Sequence, residues 1–131
     1  MPAFLNLLLL DPRLRTARCA LAILLYLTIL VAGSIPGARA GIGHYAPGVV
    51  LHGLAYAGLT LLWYTGSAGG ARARSLKAVL VVAAMGAGDE FVQSFFPYRG
   101  ADIHDWMVDC IAAIITCALL SAVLPRHALA R

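Results

Sequence analysis

The sequence predicts an all-α, polytopic membrane protein: a four-transmembrane-helix bundle with its N- and C-termini cytoplasmic. Three observations predict it. The 131 residues are 61% hydrophobic and only 12% charged, about half the charge of an ordinary soluble domain. Four apolar stretches reach the roughly 17–25 residues a helix needs to cross a bilayer. The basic residues cluster at the ends of those stretches, mostly on one side. The mean hydropathy is +0.83, so lipid is the expected solvent, and residues 1–131 are read as a single membrane domain.

The run FLNLLLL, residues 4–10, comes first. It is short, no basic region precedes it, and Asp11, Pro12 and Arg13 follow. It therefore reads as a short interfacial helix, not as a signal peptide or a span. Span 1 covers 17–34 (ARCALAILLYLTILVAGS), with Gly33, Pro36 and Gly37 at its end, since Pro and Gly do not continue a helix comfortably. Span 2 covers 47–65 (PGVVLHGLAYAGLTLLWYT). Pro47 suits a first helical turn, and Trp63 and Tyr64 fit an interfacial aromatic belt. Span 3 covers 76–96 and span 4 covers 103–124, with Pro97 and Pro125 marking their ends. Trp106 reads as a further interface anchor.

Orientation follows from charge. Arg13, Arg15 and Arg18 precede span 1; Arg72, Arg74 and Lys77 lie between spans 2 and 3; Arg126 and Arg131 follow span 4. Only Arg39 and Arg99 fall on the other side. Basic residues concentrate in cytoplasmic segments, so the loops at 35–46 (with His44 and Tyr45) and 97–102 are expected to face outward. The net charge of +4 is thus accounted for by a lipid bilayer partner and not by nucleic acid. Cys19, Cys110 and Cys117 form no CxxC pattern, and free thiols are expected. There is no HExxH, GxSxG or P-loop pattern, so no metal, no cofactor and no serine nucleophile is expected.

The acid is concentrated in one place. Of six acidic residues, all but Asp11 lie between residues 89 and 109. Ionisable groups in a span cost a few kcal/mol each on insertion scales, so such a cluster is a candidate functional site. Asp89 and Gln93 are four apart and share a helix face, with Glu90 one step round. Asp102, Asp105, Asp109 and Thr116 form one stripe on span 4, where Asp102 reads as a helix cap. Arg99 sits in the short connection and is the expected partner of these carboxylates. His52 and Tyr56 lie one turn apart on span 2, at the depth of Glu90 and Asp105. The candidate site is one outward-facing polar pocket formed by His52, Tyr56, Asp89, Glu90, Gln93, Arg99, Asp105 and Asp109. A structural ion-pair network is the competing reading.

These residues resemble the VanZ-like family of small bacterial membrane proteins. The resemblance rests on LHGLAY (51–56), on DEFVQSFFPYR (89–99) and on Asp105 six residues after Arg99. The SIPG turn (34–37) is also similar. The resemblance implies a multi-pass protein of the bacterial plasma membrane. It also implies a link to glycopeptide resistance of the teicoplanin type, through a lipid-linked or glycopeptide ligand met at the outer face. The residues themselves leave several functions open. One is a ligand-binding envelope protein. Others are a membrane-surface enzyme using a carboxylate and His52 as acid and base, a proton or ion path with Asp109 as a deeper relay and Thr60 and Thr116 beyond it, and a structural subunit with a membrane-protein partner.

Overall fold

The computed structural model describes residues 8–37 and 48–124. The expectations for most of the 4–10 run, Arg39, His44, Tyr45, Pro47, Pro125, Arg126 and Arg131 fall outside them. The described chain is all helical. A 3-10 turn (Pro12–Leu14) leads into α1 (Arg15–Ser34), followed by α2 (Gly48–Gly66), α3 (Ala71–Gln93) and α4 (Ile103–Val123).

Each boundary has a local cause. The Asp11 carboxylate accepts from the Arg13 backbone N–H at 2.9 Å and starts the first turn. Gly37, in the left-handed region at φ 79°, sits beyond the end of α1, where a residue with a Cβ would be strained. The Asp102 side chain accepts from the His104 N–H and caps α4. Helix α3 begins five residues before the expected apolar span, because its first turns carry Arg72, Arg74 and Lys77. It also stops at Gln93 rather than at residue 96. The chain there tightens into three-residue bonds, Phe95 N–H to Val92 and Phe96 N–H to Gln93, since Pro97 cannot extend an α-helix.

Cross-helix bonds fix the topology. His52 meets Asp109 and Tyr64 meets Ser121. Both pairs are 57 residues apart, so α2 and α4 run parallel and in register. Trp106 meets Ala83, and Cys117 meets Ser75, so α3 and α4 are antiparallel. Arg18 meets Thr65, so α1 starts beside the end of α2. The result is an up-down-up-down bundle.

Its surface is inverted relative to a soluble protein. Leu24, Leu54, Leu80, Leu119 and Val123 are more than 60% exposed, whereas Asp89, Gln93, Asp109 and Arg74 are almost wholly buried. Exposed Leu on every helix is the pattern of a protein solvated by lipid. Pro12–Ser34, Gly48–Gly66 and Ile103–Val123 are each long and apolar enough to cross a membrane, and the chain is a multi-pass membrane protein. Helix α3 is as long, with charge at both ends and an apolar middle.

Two buried clusters hold the bundle. One joins Ala22, Tyr56, Leu59, Val82 and Ala113; the other joins Tyr64, Ala78, Cys117 and Leu124. Tyr64 is thus fully buried, its hydroxyl 3.2 Å from Ser121, and does not belong to an aromatic belt. Trp63, half-buried, packs against both clusters. Trp106 is tied into the bundle as well. Its indole N–H donates to the Ala83 carbonyl of α3 at 2.9 Å, because Gly86 leaves room for its ring.

At the opposite end from the acids, Arg18 is buried and donates to the carbonyls of Leu8, Asp11 and Thr65 at 2.8–3.0 Å. A cation suits the negative end of α2, where Thr65 lies. Arg74 donates to Gly69 at 2.6 Å and Lys77 to Ala68 at 3.0 Å.

Small residues set the helix spacing. A Cβ on Gly86 would stand 2.8 Å from Asp109 Oδ2 and 3.1 Å from Trp106 Cδ1. A Cβ on Gly88 would stand 2.6 Å from the Tyr26 hydroxyl. Gly86→Val is expected to lower stability by about 1–3 kcal/mol through overpacking. Ala84→Val, on an exposed position of the same helix, should change it little. Denaturation of the purified protein in micelles checks the difference.

Candidate functional site

The acid end of the bundle contains a cavity of about 250 Å³. Ile29, Ala32 and Gly33 of α1 form one wall; Gly48, Leu51, His52, Ala55 and Tyr56 of α2 form another. Asp89 and Gln93 of α3 and Arg99 of the connection complete it. Five of the eight sequence-predicted residues therefore line one space: His52, Tyr56, Asp89, Gln93 and Arg99. Glu90, Asp105 and Asp109 do not line it.

Those three act toward α4 instead. Glu90 lies one step round α3 from Asp89, and its Oε2 accepts the Asp102 backbone N–H at 2.6 Å. This ties the end of α3 to the start of α4. Asp105 and Asp109, one turn apart on α4, both face His52. His52 Nδ1 is 3.1 Å from Asp109 Oδ1, and Nε2 is 3.6 Å from Asp105 Oδ2. Nδ1 is thus hydrogen-bonded to Asp109, and Nε2 is turned toward Asp105 beyond hydrogen-bond distance. The Tyr56 ring lies nearly parallel to the imidazole, 6.0 Å away between centroids.

Arg99 does not do what the sequence reading expects. It makes no ion pair with a carboxylate among the described residues; its Nε–H donates to the Gly33 carbonyl at 3.0 Å. Gly33 lies at the last turn of α1, where carbonyls lack intrahelical partners. The neighbouring Tyr98 hydroxyl donates to the Ser34 carbonyl at 2.6 Å. Together they lash the α3–α4 connection onto the end of α1. Gly33 also gives way to the site: a Cβ there would stand 3.2 Å from Arg99 Nη2 and 3.8 Å from Asp89 Oδ1.

Several buried polar atoms here have no hydrogen-bond partner among the described residues: the Tyr56 hydroxyl, Asp89 Oδ1, Glu90 Oε1 and Asp109 Oδ2. Such atoms cost about 1–3 kcal/mol each when left unpaired. Two of them, the Tyr56 hydroxyl and Asp89 Oδ1, belong to residues lining the cavity, which a saturated structural network would not leave open. The site offers acceptors from Asp89 and Tyr56 and donors from Arg99 and Gln93. Among the described residues that line it there is no Ser or Cys.

Gly33 and Tyr98 are the residues the sequence reading missed. The glycine beside SIPG was legible only as a helix stop. Its use as a contact for Arg99 depends on a pairing sixty-six residues apart, which no local pattern encodes.

Removing Asp109 leaves the imidazole facing only Asp105 at the longer distance. Asp109→Ala is expected to cost about 3–5 kcal/mol, the range for breaking a buried pair. Asp105→Ala should cost less, since Nδ1 keeps its partner. Thermal unfolding of both variants in the same detergent checks the order.

No curated protein and no solved structure matches the chain. The family model described as VanZ/LLP1 matches residues 6–124. That span includes all four long helices, every residue lining the cavity, and the His52 partners on α4. The chain is a member of the VanZ/LLP1 family.

Proposed function

We propose that this VanZ/LLP1 protein binds the polar part of a lipid-linked or other envelope ligand in the cavity at its acid end. The reading places it in the bacterial plasma membrane with four spans, both termini cytoplasmic and the cavity at the outer face. It acts there in cell-envelope processes, with teicoplanin-type resistance as the phenotype that the family resemblance implies.

The observation that carries the binding reading is the cavity itself. It holds a buried carboxylate oxygen and a guanidinium beside each other without an ion pair between them. Evolution of a scaffold alone would favour closing that gap, because unpaired buried charge is destabilising. Glu90, Asp105 and Asp109 have the scaffold role: they hold the helix junction and His52 in place.

Two competing readings have less support. An acid–base enzyme needs a His nitrogen aimed at the reacting group, and His52 turns Nδ1 to Asp109 at 3.1 Å and Nε2 toward Asp105 at 3.6 Å, both on α4. A transport path needs polar groups continuing past Tyr56. Below it the bundle is filled by Leu59, Val82, Ala22 and Ala113, and the Thr60 hydroxyl is bonded to its own helix at Tyr56 O.

The four-span reading rests on α3. At 23 residues and 1.5 Å per residue it is about 34 Å long, enough for a hydrocarbon core of about 30 Å. Arg72, Arg74 and Lys77 lie in its first turns and Asp89 and Glu90 near its other end, with about 27 Å between Arg72 and Glu90. Alkaline phosphatase fused at Gly70 or after Leu124 should be inactive, and fused at Gly100 active. Activity at Gly70 would reverse the orientation, and activity after Leu124 with none at Gly70 would remove a span.

The functional reading is tested by complementation. A strain lacking the protein should regain its teicoplanin susceptibility profile with wild type. It should not regain it with Arg99→Ala or Asp89→Asn, although both variants reach the membrane. Full complementation by both would make the cavity incidental and overturn the reading.

A further inference from the structure

The cavity's own chemistry narrows its ligand. Asp89 is 2% exposed, and its Oδ1 has no partner among the described residues. A buried carboxylate in that state calls for a charged N–H donor. Arg99 has committed its Nε to Gly33, and among the described residues its Nη nitrogens have no partner. Those nitrogens call for an anionic oxygen. Both groups lie against the same glycine, yet they do not join as an ion pair. A ligand with only an anion would leave Asp89 uncompensated, and one with only a cation would leave Arg99 so.

From this we infer that the cavity takes an amphiphile with a zwitterionic head, a primary ammonium beside a phosphate, as in an ethanolamine glycerophospholipid. The inference rests on the binding reading above and specifies its ligand class. The phosphate meets Arg99 and the ammonium meets Asp89, with the Tyr56 hydroxyl as a second acceptor. A trimethylammonium head is disfavoured, because it has no N–H for either acceptor. Size agrees. A cavity of about 250 Å³ lies just below the range that holds drug-sized ligands, so it admits a head group and not a whole glycopeptide. The tail follows from the walls. Ile29, Ala32, Leu51 and Ala55 are apolar, and Val31 and Leu54, the chain neighbours of Ala32 and Ala55, are 63% and 70% exposed on the outside of the bundle.

The test uses the purified full chain in micelles, titrated with phosphatidylethanolamine, phosphatidylglycerol and phosphatidylcholine of matched chains. Bound lipid is counted by native mass spectrometry, and the melting temperature is followed in parallel. Wild type should retain the ethanolamine lipid at least tenfold better than the other two. Asp89→Asn should abolish that preference while keeping some binding of phosphatidylglycerol, and Arg99→Gln should weaken all three. Soluble phosphoethanolamine should compete only at far higher concentration. Competition at equal concentration would overturn the amphiphile assignment in favour of a free solute. Equal retention of the three lipids by wild type would overturn the zwitterion inference, and this arm needs no variant to fold. The binding reading would survive that result if the variants still failed to complement; it falls if they complement fully.

Discussion

Burying carboxylates among apolar helices is the constraint on which this structure depends. Asp89, Asp105 and Asp109 are each at most 6% exposed in a chain whose surface is largely leucine, isoleucine and valine. An ion taken out of water costs several kcal/mol unless a partner and hydrogen bonds compensate. The bundle answers this mainly through His52, which α2 places between the two aspartates of α4. The parallel register of α2 and α4 follows from that contact and from Tyr64 meeting Ser121 three turns further on. Gly86 completes the arrangement by letting Asp109 lie against the backbone of α3. The acids are therefore the reason three helices meet at this end as they do.

The two ends of the bundle handle charge differently. At the basic end, Arg18 donates its Nη groups to the carbonyls of Leu8, Asp11 and Thr65 while its Nε has no partner among the described residues, and Arg74 donates Nε to the Gly69 carbonyl. At the acid end, Arg99 spends only Nε on a carbonyl, and Asp89 keeps an oxygen without a partner. The cations of the basic end lie on backbone carbonyls; the cation of the acid end lines a cavity together with a buried carboxylate. That asymmetry is what gives the acid end the character of a site. His52 belongs to both roles, since one face of its ring lines the cavity while its nitrogens brace α4.

Much of this was legible in the sequence, for identifiable reasons. Helix α4 was placed to within one residue, because Asp102 is a cap and Pro125 a stop. The shared face of Asp89 and Gln93, and the match of His52 to the span 4 acids, follow from helical spacing alone. What the sequence hid depends on contacts between distant residues. Arg99 was expected to pair with a carboxylate, but the nearer unsatisfied acceptor is the carbonyl of Gly33, brought in by α1. Trp106 and Tyr64 look like interfacial aromatics by position, yet each finds a polar partner inside the bundle. The early start of α3 was hidden because hydropathy tracks the apolar run, whereas the helix also includes the basic turns before it.

The claim at the centre of this account is that the His52–Asp109 contact couples α2 to α4 and so holds the cavity wall. A double-mutant cycle on the purified protein tests it most directly, using His52→Ala, Asp109→Ala and the double variant in one detergent. The account predicts strong non-additivity, with the double variant at least about 1 kcal/mol more stable than the sum of the singles implies. Additivity within about 0.3–0.5 kcal/mol, the spread of independent sites, would contradict it.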